Sequence, residues 1–338
     1  MRRILPLLIA LVVLSACFSL STQETPPPQP PSEQPASVAA STTLSARTPV
    51  GTETPQRLPA TATVSPSALP TVTLVRLRET CESAPVCILR GHFLFQRPIP
   101  PEGKTAIERS YPYGSTQNGQ REVHHGVEFA NPQGTPVLAA ADGKVIFAGD
   151  DRQTQLAWVP AFYGNVIVLE HWLEGERFFT LYGHLHRILV STEQNVHAGQ
   201  PIGEVGASGT AIGSHLHFEI RRGTNDYNAT RNPELWLIPL EGTGVLAGRI
   251  VDERGSLVRG TVNVQRVENG ILNPLSVGAA STYAPGNVNS DDNLQETFVL
   301  GEMPAGEYRL SLVHYGILYE QVVTIEAGRL TFVNFFVK

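Results

Sequence analysis

Residues 214–220 read SHLHFEI, and this stretch predicts a β-strand that carries candidate functional residues. Polar and apolar residues alternate strictly, which is the period-2 pattern of a β-strand with one buried face. His215, His217 and Glu219 therefore fall on one face, and the apolar residues between and after them fall on the other. The strand presents two imidazoles roughly 7 Å apart along its length.

A second histidine-rich stretch, EVHHGVEFAN at residues 122–131, adds a carboxylate. His124 and Glu128 are four residues apart, a spacing that places both on one side of a strand or a helix. Two histidines and one carboxylate form a donor set that zinc accepts, with a fourth position open in catalytic sites. Spacing alone does not choose between the adjacent histidines of HHGVE or between the two HLH triplets of the chain. A single histidine is an ordinary surface residue, so it is the joint pattern that favours a metal site.

Residues 123–241 consist of short alternating or apolar segments separated by turn residues. The Asp142-Gly143 pair between two apolar stretches predicts a β-hairpin, and the segments GNVIVLEHW, LEGE and RFFTLYGHL predict another. No long helical periodicity interrupts this pattern. We therefore expect a mainly antiparallel β domain.

These segments together resemble the lysostaphin and LytM type of zinc metallopeptidases, which hydrolyse peptide bonds in bacterial peptidoglycan. The resemblance covers residues 110–241 and rests on several motifs in the same order: HHGVEFAN, GTPVLAAADGKVIFAG, YGNVIVLEH, LYGHL, VHAGQPIGEVGASGT and GSHLHFEIRRG.

The resemblance also implies a role for individual residues. In that family the HxxxD motif and the second histidine of HxH bind zinc, while the first histidine of HxH and a separate upstream histidine are catalytic. Carried over by position, His124, Glu128 and His217 are the expected Zn²⁺ ligands, and His184 and His215 are the expected catalytic pair. The implied activity is that of a zinc metalloendopeptidase.

One position departs from the family motif. Glu128 stands where the family has aspartate, so its carboxylate is one carbon–carbon bond, roughly 1.5 Å, further from the backbone. The alternative hypothesis is therefore a non-catalytic LytM-like envelope protein that binds wall peptides or regulates another cell-wall hydrolase.

Composition limits the class of protein and its partners. The chain has 338 residues, 41% of them hydrophobic, which is enough for two ordinary cores. The net charge of −6 comes without clusters of basic residues, so nucleic acid is excluded as an expected partner. The sequence does not indicate an oligomeric state.

The N-terminal residues 1–17, MRRILPLLIALVVLSAC, predict export and anchoring. The apolar run is shorter than the roughly 20 residues that span a bilayer, so it is typical of a secretory signal. LSAC resembles the lipobox of bacterial lipoproteins, which implies that Cys17 is lipidated and anchors the protein outside the cytoplasm, to the cytoplasmic or the outer membrane. Residues 18–73 are rich in Pro, Thr and Ser and predict a disordered tether.

A lead-in segment at residues 74–109 separates the tether from the predicted peptidase domain. It contains Cys81 and Cys87 in CESAPVC, and an exported chain with one such close pair is expected to close a small disulfide loop.

Residues 242–338 again alternate apolar and polar residues between turns, which predicts a second domain, a β-sandwich. RIVDERGSLVRGTVNV and LGEMPAGEYRLSL resemble the carboxypeptidase-regulatory or transthyretin-like (prealbumin-like) sandwich. Asp291 and Asp292 lie in a long segment between these stretches, and we expect them in a solvated turn rather than in a calcium site.

Overall fold

Nearly all of the regular structure in this chain is β-strand. The computed structural model describes residues 81, 83–284, 286 and 288–338. The predicted signal segment with Cys17 and the predicted tether lie outside these residues. Within the described part, the mainly antiparallel β fold predicted from the sequence is confirmed. No helix in that part is long and apolar enough to cross a membrane.

The strands are numbered from the N-terminal side of the described chain. They are β1 (Val86–Leu89), β2 (Val127–Phe129), β3 (Pro136–Leu138), β4 (Gly143–Asp150), β5 (Asn165–Leu173), β6 (Glu176–Gly183), β7 (Arg187–Ile188), β8 (Asn195–Val196), β9 (Pro201–Glu204), β10 (Leu216–Arg222), β11 (Thr230–Arg231), β12 (Thr243–Asp252), β13 (Thr261–Glu268), β14 (Ile271–Ser281), β15 (Phe298–Pro304), β16 (Gly306–His314), β17 (Ile317–Ile325) and β18 (Leu330–Val337). Two short 3-10 helices, Tyr227–Ala229 and Pro233–Leu235, follow β10 and β11.

Strands β2 to β11 form two sheets that share one core. The larger sheet has seven strands in the order β11-β10-β6-β5-β4-β8, with β2 paired to β10, and the smaller has the order β3-β9-β7. Val137, Ile167, Ile202 and Phe218 come from different strands and are fully buried in one cluster. The alternation of SHLHFEI thus directs the apolar face of β10 into the core, as predicted.

The predicted hairpin between GNVIVLEHW and RFFTLYGHL forms as β5 and β6. Leu173 pairs with Glu176, and the two residues between them both have positive φ, +51° at Glu174 and +81° at Gly175. Positive φ at both central residues is the type I′ turn, whose twist matches that of the flanking strands.

The hairpin predicted at Asp142-Gly143 was wrong. Strand β3 pairs with β9, whereas β4 pairs with β5 and β8, so the chain passes there from one sheet to the other. Neither Asp142 nor Gly143 has the positive φ that a type I′ turn needs. Packing explains the glycine instead, because a Cβ at residue 143 would lie 2.6 Å from the Glu170 carbonyl oxygen and from His171 Nδ1.

Strands β12 to β18 form most of a two-sheet sandwich. One sheet has the order β1-β18-β12-β15 and the other β14-β13-β16-β17. Leu246, Phe298 and Phe335 from the first sheet meet Val264 and Leu310 from the second in one buried cluster. The likeness of this sandwich to carboxypeptidase-regulatory domains stays a prediction.

The lead-in segment supplies an edge strand of that sandwich. Strand β1 pairs antiparallel with β18, from Val86 opposite Val333 to Leu89 opposite Leu330. The predicted Cys81–Cys87 disulfide is present and closes the loop that leads into β1. The peptidase-like sheets are therefore inserted between the first strand of the sandwich and the rest of it.

Asp291 does not lie in a solvated turn, so the expectation was wrong for this residue, whereas Asp292 lies exposed in a turn as expected. Asp291 is fully buried, and its Oδ1 accepts hydrogen bonds from the backbone N–H groups of Asn293 (2.9 Å) and Leu294 (3.0 Å). Asp292 forms an ion pair with Arg231 at 2.8 Å and another with Arg222. The segment joins the sandwich to the sheets that carry the histidines, which the local sequence does not signal.

Candidate metal centre

Pairing of β2 with β10 brings the two histidine-rich stretches together. Glu128 lies directly opposite His217 in the antiparallel register. Gly126 permits the close approach, since a Cβ there would lie 2.5 Å from the Phe218 carbonyl oxygen and 2.8 Å from His217 Cε1. His124 precedes β2 and enters the same site.

Three predicted residues converge on one point. Nε2 of His124 lies 2.9 Å from Oε1 of Glu128, Nδ1 of His217 lies 3.1 Å from the same oxygen, and the two nitrogens are 3.3 Å apart. Zinc bonds of about 2.0–2.1 Å in a tetrahedron give ligand atoms separated by roughly 3.3 Å. These donor distances therefore suit a small tetrahedral cation.

The chemistry of the donor set also fits a cation. Nδ1 of His124 is buried and has no hydrogen-bond partner among the described residues, and the buried Oε2 of Glu128 lies 3.1 Å from Nε2 of His215. Burial alone would lower the pKa of His217, but the negative charge of Glu128 and hydrogen bonds to Glu128 and Glu219 outweigh it and raise that pKa to about 9. The site thus stabilises positive charge, here carried by a proton and equally suited to Zn²⁺. The extra methylene of Glu128 does not prevent its carboxylate from reaching both histidines.

A buried ionic network contacts Nε2 of His217, the ring nitrogen that does not face Glu128. This nitrogen lies 3.0 Å from Oε1 of Glu219, and Oε2 of Glu219 accepts hydrogen bonds from the Arg221 guanidinium, 2.8 Å from its Nε. The Tyr163 hydroxyl donates to Glu219 and lies 3.1 Å from the guanidinium. Because Glu219 accepts the proton on Nε2, Nδ1 is the nitrogen of His217 that is available to a metal, which would displace the Nδ1 proton.

This network was missed as a functional element by sequence reasoning. Alternation placed Glu219 on the same face as His217, which was the available signal, but it assigned the glutamate no role. Arg221 continues the same alternation, whereas nothing in the sequence marks Tyr163.

The predicted catalytic histidines stand beside the donor set. The ring centroids of His184 and His215 are 4.9 Å apart, and that of His184 is 5.7 Å from that of His217. His184 follows directly after β6 with a positive φ of +63°, a conformation that turns it out of the strand into the site. His215 Nε2 lies 3.1 Å from Oε2 of Glu128.

Both histidines are held as neutral bases. Burial is the main cause that lowers the pKa of His184 to about 3, and burial also lowers the pKa of His215. Nδ1 of His184 lies 2.9 Å from the Ser208 carbonyl oxygen, and Nδ1 of His215 lies 3.1 Å from that of Gly213. A carbonyl only accepts, so Nδ1 of His184 carries the proton and its Nε2 keeps a lone pair. His215 has an acceptor at each ring nitrogen, the Gly213 carbonyl at Nδ1 and the Glu128 carboxylate at Nε2.

The neighbouring histidines that spacing could not exclude do not join the donor set. Nδ1 of His125 is bonded to the Tyr227 carbonyl (3.0 Å) and the Thr230 hydroxyl (3.1 Å), and its ring stacks on Tyr227 at 3.8 Å. His186 is exposed and does not line the site.

A cleft of about 430 Å³ opens over these residues. One wall comes from residues 119–125, and the facing walls include Phe162, Ile212 and Tyr227. Tyr111 stacks on the His124 ring with centroids 4.2 Å apart, and the Arg121 guanidinium lies 5.1 Å from the Tyr111 ring centre. An extended peptide can therefore reach the donor set between a mainly polar wall and the facing Phe162, Ile212 and Tyr227.

Comparison with known proteins points to one family. The sequence profile described as peptidase family M23 matches residues 122–229, which include all five predicted site residues. The chain is 31% identical over 180 residues to the murein hydrolase activator NlpD of Salmonella dublin, an alignment that covers 52% of this chain and 40% of NlpD. It is 39% identical over 99 residues to the DD-carboxypeptidase/endopeptidase Mpg of Neisseria meningitidis serogroup B, covering 29% of this chain and 20% of Mpg.

One solved structure is also similar in sequence over part of the chain. The catalytic domain of the antimicrobial peptidase lysostaphin from Staphylococcus simulans is 31% identical in the aligned region, which covers 38% of this chain and 88% of that domain, with a TM-score of 0.32. The chain therefore spans less than half the length of the two curated relatives but most of the lysostaphin catalytic domain.

Proposed function

The chain belongs to peptidase family M23 through its residues 122–229, and on that premise we propose that it is a zinc metalloendopeptidase that cleaves peptide bonds in bacterial peptidoglycan. The observation that carries this proposal is the convergence of His124, Glu128 and His217 at distances that suit zinc, beside two neutral histidines.

The proposed chemistry divides between the metal and the chain. Held by the three donors, Zn²⁺ supplies Lewis-acid activation of water and of the scissile carbonyl. Nε2 of His184 or of His215 accepts the proton of the attacking water, and the resulting imidazolium donates a proton to the leaving amine or to the developing oxyanion. A histidine with a depressed pKa gives up that proton readily, so the neutral base is restored after each turnover.

Position does not decide which of the two histidines takes which role. Both imidazoles have Nδ1 fixed by a backbone carbonyl, so both present Nε2, and either one can act as the base. Glu219 keeps Nδ1 of His217 directed to the metal throughout.

The proposed location follows from the sequence before the described residues. A signal segment that ends at Cys17, followed by a long tether at residues 18–73, suits a lipid-anchored protein of the cell envelope. Peptidoglycan is an insoluble mesh outside the cytoplasm, so an anchored enzyme on a tether meets it directly.

A non-catalytic regulator is the second candidate. It is favoured by the 31% identity to a protein named as a murein hydrolase activator and by Glu128 in place of the family aspartate. In that function the same cleft binds wall peptides without cutting them.

Zinc content and peptidoglycan hydrolysis, measured on the detergent-solubilised full chain, test the proposal. We expect about one zinc per chain and release of soluble peptides from purified peptidoglycan. The matched control is His184→Ala, which keeps the three donors and is expected to bind zinc without hydrolysis. A chain that takes up no zinc contradicts the enzyme. A chain that binds zinc but cuts no peptidoglycan chemotype supports the regulator.

A further inference from the structure

A second and larger cleft lies between residues 109–120 and the sandwich. Its volume is about 1370 Å³, and it is walled by residues 109–120, by β13 and β14 of one sheet, and by β15 of the other. Small-molecule sites commonly measure about 300–1,000 Å³. The dimensions of this cleft therefore suit a segment of a polymer better than a small ligand.

The larger cleft adjoins the candidate active site. Gly119 and Gln120 line both cavities, so the loop that contains them separates one from the other. A chain that leaves the active-site cleft over this loop enters the larger cleft directly. At about 430 Å³ the active-site cleft holds only the residues that flank a scissile bond, and the rest of a polymeric substrate needs a neighbouring surface.

The lining of the larger cleft carries more positive than negative charge, in contrast to the net charge of −6 of the chain. Its ionisable side chains are three guanidinium groups and one carboxylate, those of Arg109, Arg259, Arg266 and Glu302. Arg109 is bound by Glu234 at 2.6 Å and by Glu302 at 3.4 Å, so it is neutralised within the protein.

Three polar side chains of the lining are available to a ligand. Asn118, Gln120 and Arg259 are exposed, and their side chains make no hydrogen bond or ion pair with the described residues. Two amides offer donors and acceptors that suit a peptide backbone, and a free guanidinium binds a carboxylate in a two-pronged geometry.

From this arrangement we infer that the larger cleft is an exosite for a carboxylate-bearing peptide branch of the same polymer whose scissile bond lies in the active-site cleft. The inference rests on the proposed function for the identity of the polymer. In this assignment the Arg259 guanidinium binds a free carboxylate of the branch. The Gln120 side chain, at the junction of the two clefts, hydrogen-bonds to the backbone of the branch. In this arrangement the sandwich selects substrates by the charge on the peptide branch that extends beyond the scissile bond.

Binding without turnover tests the exosite. The full chain carrying His184→Ala is titrated with a synthetic cross-linked peptide dimer that bears free carboxylates, and with the same dimer after amidation of those carboxylates. Arg259→Glu is the test variant. Arg254→Glu is the matched control, because Arg254 is exposed on the preceding turn but does not line the cleft.

We expect Arg259→Glu to weaken binding of the free-carboxylate dimer about fivefold, the upper range for one exposed ion pair. Arg254→Glu is expected to leave it unchanged, and the amidated dimer to bind both variants equally. Equal effects of the two substitutions, an equal loss for the amidated dimer, or no binding of either dimer would overturn the inference.

Cleavage of a short unbranched peptide distinguishes failure of the exosite from failure of the proposed function. It is measured on the chain with His184 intact. We expect Arg259→Glu to leave kcat/KM for that peptide unchanged, because the peptide does not reach the larger cleft. Failure of the unaltered chain to cut any peptide contradicts the enzyme but not the exosite, which is judged on binding alone.

Discussion

Replacing Glu219 by glutamine tests whether the buried network controls the metal site. The change keeps the shape of the side chain but removes the charge that accepts the Nε2 proton of His217 at 3.0 Å. Loss of such a supporting partner typically weakens metal affinity 10- to 100-fold, which is about 1.4–2.7 kcal/mol of binding free energy. We expect the zinc Kd of Glu219→Gln to rise within that range.

The same substitution affects stability by a separate route. Arg221 is fully buried, and it loses the charge of its ion-pair partner. Breaking a buried pair costs about 3–5 kcal/mol, and the lower end applies here because the guanidinium keeps acceptors at Tyr163, Asn225 and Leu156.

The assay is a zinc titration against a competing chelator, with thermal unfolding followed in parallel to establish that the variant is folded. His184→Ala is the control, because it lies outside the donor set and its zinc Kd is expected to match that of the unaltered chain. A folded Glu219→Gln protein whose zinc Kd stays within twofold of the unaltered value would refute the role assigned to the network.

Three further predictions concern single side chains. Glu128→Asp should weaken zinc binding about tenfold, because the β2–β10 register fixes a backbone that suits the longer carboxylate; tighter binding in the chelator titration would contradict this. Burial, together with the negative charge of Asp291, raises the pKa of Glu296 to about 8, above its unfolded value of 4.5. The contribution of Glu296 to the free energy of unfolding is therefore lost as pH rises from about 5 to 8, by at most about 1.4 kcal/mol per pH unit. Glu296→Gln should flatten the dependence of unfolding free energy on pH over that interval, and an unchanged slope in denaturant melts would exclude this cause. Cys81→Ser together with Cys87→Ser should lower the free energy of unfolding by about 2 kcal/mol, as expected for so short a loop. Equal stability of the oxidised protein and the double variant would show that the disulfide does not stabilise the fold.

The sequence predicted the strands that carry the donor set because each has a strong local signal. Period-2 alternation separated the apolar face of β10 from its polar face, and the LEGE segment between two apolar stretches indicated the β5–β6 hairpin. The convergence of His124 and Glu128 on His217 needs the pairing of β2 with β10, which is non-local. Resemblance to a family supplied the ligand set, which local periodicity does not contain.

The remaining features depend on contacts between distant segments. Asp142-Gly143 has the composition of a hairpin turn but connects two different sheets, because the glycine is required by the backbone of β5 rather than by positive φ. Asp291 resembles a surface acid in sequence and is buried because the interface between the sandwich and the other sheets covers it. Local composition carries no information on which surfaces become interfaces.

The pairing of β1 with β18 also sets an order of events during synthesis. The two strands are separated by more than 240 residues, from Val86 to Val333, so β1 leaves the ribosome long before its partner exists. The sheets with the histidines lie wholly between these strands and can form first, while the edge of the sandwich has to wait. A polypeptide interrupted before β18 leaves β1 without its partner strand, and an unpaired apolar strand edge is what proteases and quality-control factors meet in incompletely folded chains.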